Sequence, residues 1–126
     1  VLFRSVSLFI AADPRQLDAA NSIGAPVVEL HTGSYCDALL ATDRAAELER
    51  IQKAAAQAAD LGLECHAGHG LSFETIGPIA AIASLRELNI GHFLVGEALF
   101  TGFAEAIKHM RAEMDKARIR IAAVPR

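Results

Sequence analysis

Residues 43–71 read DRAAELERIQKAAAQAADLGLECHAGHGL, and their pattern decides the fold class. Leu48, Ile51, Ala55 and Ala58 recur at three- and four-residue steps, which predicts an amphipathic helix over 43–61. Gly62 follows at once, and glycine closes helices because it enters the left-handed conformation without a Cβ penalty. Residues 63–67 then form a short, mostly apolar run suited to a buried strand, opening into Gly68-His69-Gly70. A helix that turns through glycine into a strand, and a strand that ends in a glycine-bearing loop, is the repeating unit of a parallel α/β sheet.

The same grammar extends in both directions. Upstream, residues 6–10 (VSLFI) look like a buried strand. Asp13-Pro14-Arg15-Gln16 then gives a capping-box start to a helix that ends at Gly24. Residues 26–31 form the second strand, with Pro26 confined to its first position. A loop holding Tyr35 and Cys36 leads to the long helix. Downstream, a short helix is expected over 76–83, with Pro78 tolerable only in its first turn, and residues 90–95 are expected to be the fourth strand. The last helix carries Phe100, Phe103, Ile107, Met110 and Met114 at strict 3-4-3-4 spacing, a stripe that should face the core.

Four β-then-α units in succession imply parallel strands joined by right-handed crossovers. Two architectures fit: an open flavodoxin-like sheet, or half of an eight-stranded β/α barrel, which needs roughly 250 residues in full. Either way ligands gather at the C-terminal ends of the strands.

Composition narrows the class. A 126-residue chain with 52% hydrophobic residues and a net charge of −3 can fill a core and is not a disordered type. An isoelectric point near 5.9 argues against a nucleic-acid binder. No apolar run approaches the roughly 20 residues needed to cross a bilayer, and the run over 6–12 is too short for a secretory signal. Two cysteines, Cys36 and Cys65, are too few for a disulfide scaffold and fit a reducing, cytoplasmic setting. Residues 1–5 (VLFRS) have no turn logic leading into the first strand and match the translated end of a common sequencing adapter. They are expected to be an artefact, with the true sequence resuming at Val6, residues 6–118 as the folded unit and 119–126 as a tail without an assigned role.

The strand ends carry the residues that look chemical. Strand alternation puts Glu29 and His31 on one face and Val28 and Leu30 on the other. An acid among apolar neighbours needs a partner, so Glu29 is either part of an ion pair or part of the chemistry. His69 sits between two glycines, which lets backbone approach a ligand while the imidazole stays presented for general acid or base work. Gly70, Gly91, His92 and Gly96 are placed for an anion at a helix N-terminus. Cys65, His66 and His69 raise a zinc site, but no second cluster completes it and strand parity separates His66 from the other two. His109 lies on the charged face of the last helix and is expected to be merely solvated, and Cys36 to be an ordinary small residue.

Six segments carry a more specific signal: VSLFI (6–10), VELHTG (28–33), AGHGL (67–71), IAAI (79–82), ELNIGH (87–92) and TGFAEAI (101–107). Their order and spacing resemble the pyridoxine 5′-phosphate synthase family of vitamin B6 biosynthesis, over residues 6–117. The resemblance implies a β/α (TIM) barrel of which this chain supplies the last four β/α units of eight. It implies a transferase-type, ring-closing condensation of 1-deoxy-D-xylulose 5-phosphate with 3-amino-2-oxopropyl phosphate, through Schiff-base formation and dehydration, releasing phosphate and water. It also implies no metal, no organic cofactor, and a homo-oligomer at full length. By position, His69 matches the family's proton donor, and Gly70, Gly91 and His92 match its contacts to the aminoketone phosphate. Glu29 matches the acid that stabilises the transition state. Ala11 stands where members of the family often carry an acid, and His66 where another member has asparagine. The upstream half, which in the family supplies a general-base glutamate, a second histidine and the deoxyxylulose site, is not in this sequence, so the isolated chain is expected to be inactive. The alternative in a different class is a small non-catalytic α/β module that binds a phosphorylated metabolite.

Overall fold

The computed structural model describes residues 5–122, so of the suspected artefact only Ser5 is among the described residues, and of the expected tail positions 123–126 lie outside them. The chain runs β1 (Ser7–Ile10), α1 (Pro14–Ser22), β2 (Val27–His31), α2 (Gly33–Asp37), α3 (Ala41–Asp60), β3 (Glu64–Gly68), α4 (Ile76–Ala80), β4 (Leu85–Asn89), α5 (His92–Thr101) and α6 (Phe103–Ala122). The four strands form one parallel sheet in the order β1-β2-β3-β4. The order never reverses among the described strands, whereas a doubly wound sheet has a switch point where it does.

Local chemistry explains the elements. The Asp13 carboxylate accepts the Arg15 backbone N–H at 2.8 Å, and Pro14 occupies the first helical position of α1. Gly24 and Gly62, at φ +75° and +74°, follow the ends of α1 and α3. The α3 stripe buries Ile51, Ala54, Ala55 and Ala58 against the sheet, where Val28, Leu30, Cys65, Ala67 and Leu85 are also buried. These strand residues share one parity, and the core lies between them and the helices. The opposite parity forms two rows across the sheet. Phe9, Glu29, His66 and Glu87 make one; His31, Gly68 and Asn89 make the next, nearer the strand ends.

The C-terminal third departs from the sequence reading. The fourth strand is Leu85–Asn89, not 90–95; residues 92–101 are helix α5 instead. A short apolar run does not distinguish strand from helix, and the true strand was masked by Arg86 and Glu87. Those charges are tolerated because β4 is an edge strand with Glu87 on the face opposite the helices. The expected single last helix is broken at Gly102, whose φ of +85° interrupts the helical count. The stripe therefore splits. Met110 is buried, but Phe100 is 88% exposed and Phe103 and Ile107 are also exposed. Residues 33–37, including Tyr35 and Cys36, form the short helix α2, not a loop. The short helix α4 stops at Ala80 rather than 83, with Pro78 inside its first turn. Helix α6 continues through Ala122.

Candidate active site

His69 follows β3 directly and is the one described non-glycine residue with a positive φ, +82°. A side chain in that conformation is uncommon and must be held by its surroundings. The hold comes from Thr32, fully buried after β2. Its N–H donates to the Gly68 carbonyl at 2.9 Å, and its hydroxyl lies 2.8 Å from that oxygen and 2.5 Å from the His69 carbonyl oxygen. Gly70, at φ +81°, continues the turn, and an added Cβ there would come within 3.0 Å of the Cys36 Cβ.

The His69 ring does not stand alone. It stacks on His31 with centroids 4.6 Å apart and planes 25° from parallel, while Phe9 lies 5.1 Å from His31 and 6.4 Å from His69. Three neighbouring strands thus converge at one corner. Beside it, Glu29 Oε2 accepts from Asn89 Nδ2 at 2.8 Å. Sequence reasoning left open whether Glu29 has a structural partner, and Asn89 is that partner. The same contact explains Gly68, because the space a side chain would fill there is taken by the Glu29 carboxylate and Asn89.

A cleft of about 880 Å³ opens at this end of the sheet, lined by His69, Gly70, Asn89, Gly91, His92 and Phe93 among others. Gly91 is the N-cap of α5 and His92 its first residue. The opening turn of that helix carries backbone N–H groups without intrahelical partners and the positive end of the helix dipole, an arrangement suited to an anion. Gly96 is not part of this site: it lies in the interior of α5, not at a strand end. The structure thus brings His69, Gly70, Gly91 and His92 to one cleft and puts Glu29 next to its Asn89 wall.

The remaining candidates have structural surroundings. Cys65 is buried on the helix side of the sheet, with its thiol pushed up to about 11 by burial. His66 faces the other way, its Nε2 2.8 Å from Glu64 and its Nδ1 3.8 Å from Glu87. Cys65, His66 and His69 therefore do not converge, and no group of three metal-ligating side chains occurs among the described residues. Burial also raises the Cys36 thiol above its ordinary value, which keeps it protonated and weakly nucleophilic. His109 is more than solvated. Its ring stacks on Phe73 at 3.8 Å, so an aromatic contact accounts for a residue that the charge pattern alone left idle.

A sequence model of the family described as "Pyridoxal phosphate biosynthesis protein PdxJ" matches residues 3–116. The chain belongs to the PdxJ family. Curated relatives named pyridoxine 5′-phosphate synthase agree with this. That of Rhodospirillum rubrum is 62% identical over 112 residues, covering 89% of this chain and 45% of the relative. Those of Caulobacter sp. strain K31 and Ruegeria pomeroyi are 58% and 57% identical, over 94% and 90% of this chain and 48% and 47% of their own. The chain spans about half the length of the curated relatives it matches. As a PdxJ family member it has a four-stranded parallel α/β sheet, and no helix among its described residues is long and apolar enough to cross a membrane.

Three residues of the site, His31, Thr32 and Asn89, were not assigned roles from sequence. All three fell inside quoted motifs, but the contacts of Thr32 and Asn89 are with partners 36 and 60 positions away in sequence.

Proposed function

We propose that this chain is the C-terminal half of a pyridoxine 5′-phosphate synthase, giving the last four β/α units of an eight-stranded barrel, with residues 6–118 as that half. The unreversed strand order supports the barrel reading, since sequential right-handed crossovers put every helix on one side of the sheet. The reaction is the condensation of 1-deoxy-D-xylulose 5-phosphate with 3-amino-2-oxopropyl phosphate, without a metal or organic cofactor. His69 is the proton donor. Gly70, Gly91 and His92 hold the aminoketone phosphate at the start of α5. Glu29, oriented by Asn89, stabilises charge on the reacting centre. The general base, the second histidine and the deoxyxylulose site come from the other half, and the completed protein is a cytoplasmic homo-oligomer that binds no nucleic acid.

The observation that carries this reading is the meeting of a presented histidine and a helix N-terminus in one cleft at the C-terminal ends of the strands. Anion binding and proton donation then share one cleft, as a phosphorylated substrate requires. The test joins this chain to the upstream half of the R. rubrum relative and follows pyridoxine 5′-phosphate formation by chromatography. Turnover by the joined protein, lost by about 10²- to 10⁴-fold in His69→Asn, is the expected result. A folded joined protein that binds inorganic phosphate through Gly91 and His92 but never turns over would replace it with the non-catalytic reading.

A further inference from the structure

His31 is not among the residues assigned to the chemistry, yet it makes the closest ring contact to His69. Its own position is fixed twice. The Gly33 N–H donates to His31 Nδ1 at 3.1 Å. Glycine at residue 33 also leaves room for the His31 ring, which a Cβ there would run into and displace. A ring nitrogen that accepts a backbone N–H carries no proton, so the neutral imidazole has its proton on Nε2. His31 is then a flat plate, backed by Phe9 at 5.1 Å and facing His69 at 4.6 Å.

His69 needs such a plate. Its backbone is in a left-handed conformation between two glycines, which leaves the side chain few local contacts. Thr32 fixes its carbonyl, and the stack with His31, closer than the Phe9 ring at 6.4 Å, fixes the plane of its ring. We infer that His31 is a positioning residue: the end of β2 holds the His69 backbone through Thr32 and aims the His69 imidazole into the cleft through the face of His31. This deepens the proposed function and rests on it for the identity of the substrate, though not for the placement of the ring.

The test uses the joined protein with His31→Ala and His31→Phe. Removing the plate should lower kcat by about tenfold to a hundredfold with KM for the aminoketone phosphate little changed, the cost of a misaimed catalytic group. Phenylalanine keeps a flat face while losing both ring nitrogens, so His31→Phe should recover most of that loss if the face is what matters. Crystal structures of both variants read the ring directly, independent of turnover. The His69 imidazole should keep its place in His31→Phe and leave it or spread over several rotamers in His31→Ala. An unmoved His69 ring in His31→Ala, or a kcat equal to the parent's, overturns the inference. If the parent joined protein has no synthase activity, the substrate assignment fails while the ring positions still decide the role of His31.

Discussion

A side chain at position 68 would come within 2.5 Å of Glu29 Oε1 and 2.8 Å of the Asn89 carbonyl oxygen, so the glycine makes room for a carboxylate and not for a ligand. The thiol of Cys65 shows the same dependence on neighbours. Burial pushes it from an ordinary 9.0 to about 11, because the interior disfavours thiolate. The folded chain therefore resists ionising Cys65, and the stability this contributes is full below pH 9.0 and falls away as pH rises towards about 11. Iodoacetamide should accordingly label Cys36 before Cys65 near neutral pH, with Cys65 reacting only on unfolding; mass spectrometry of the labelled peptides checks the order. Fast labelling of Cys65 in the folded chain would contradict its burial. At this scale the sequence was readable where a residue advertises itself locally. His69 stood out because two glycines flank it, and Gly91 and His92 were picked out for an anion although they were read as part of a strand over 90–95 and not as the start of a helix. His31, Thr32 and Asn89 were not legible, since each acts on a partner brought near only by strand register.

Helices α5 and α6 were the least legible elements. Residues 92–101 are apolar on nearly every side, and such a run satisfies strand and helix patterns alike. Its helical state follows from its neighbours: β4 already occupies 85–89, so the chain leaves the sheet at Ile90 and turns at Gly91. By contrast α1 and α3 were read well, because a cap, a proline, a stripe and a closing glycine all agree. Gly102 is the hinge the periodicity argument missed. It has φ +85° and ψ 148°, a region open essentially to glycine alone, and a Cβ there would touch nothing within 4 Å. Gly102→Ala should thus destabilise through backbone strain alone, by about 1–3 kcal/mol, read from urea denaturation against the parent. An unchanged midpoint would mean that α5 and α6 can fuse into one helix, restoring the stripe the sequence suggests.

For the molecule as a whole, the parallel α/β architecture was legible, because strand and helix signals alternate along the chain. Among the described residues the sheet presents two edges, β1 and β4, and α5 exposes Val95, Leu99 and Phe100. Unpaired edges and bare apolar side chains both favour association. In light scattering the 126-residue chain is expected above its 13.4 kDa monomer mass at micromolar concentration, and a steady monomer would show that the edges are protected. The sheet also has one clothed face and one bare one. Helices cover the side of Leu30 and Cys65, whereas Phe9, Glu29, His66 and Glu87 line the other. Water reaches that second side and screens the exposed Glu87 carboxylate, while His66 is buried beside Glu64 and Glu87. Were it roofed over, the local dielectric would fall, the Glu29–Asn89 hydrogen bond would strengthen, and any carboxylate left without a partner would become a heavy cost. The same residues would then do different work, with the roof, and not the residue list, setting the strength of the field inside.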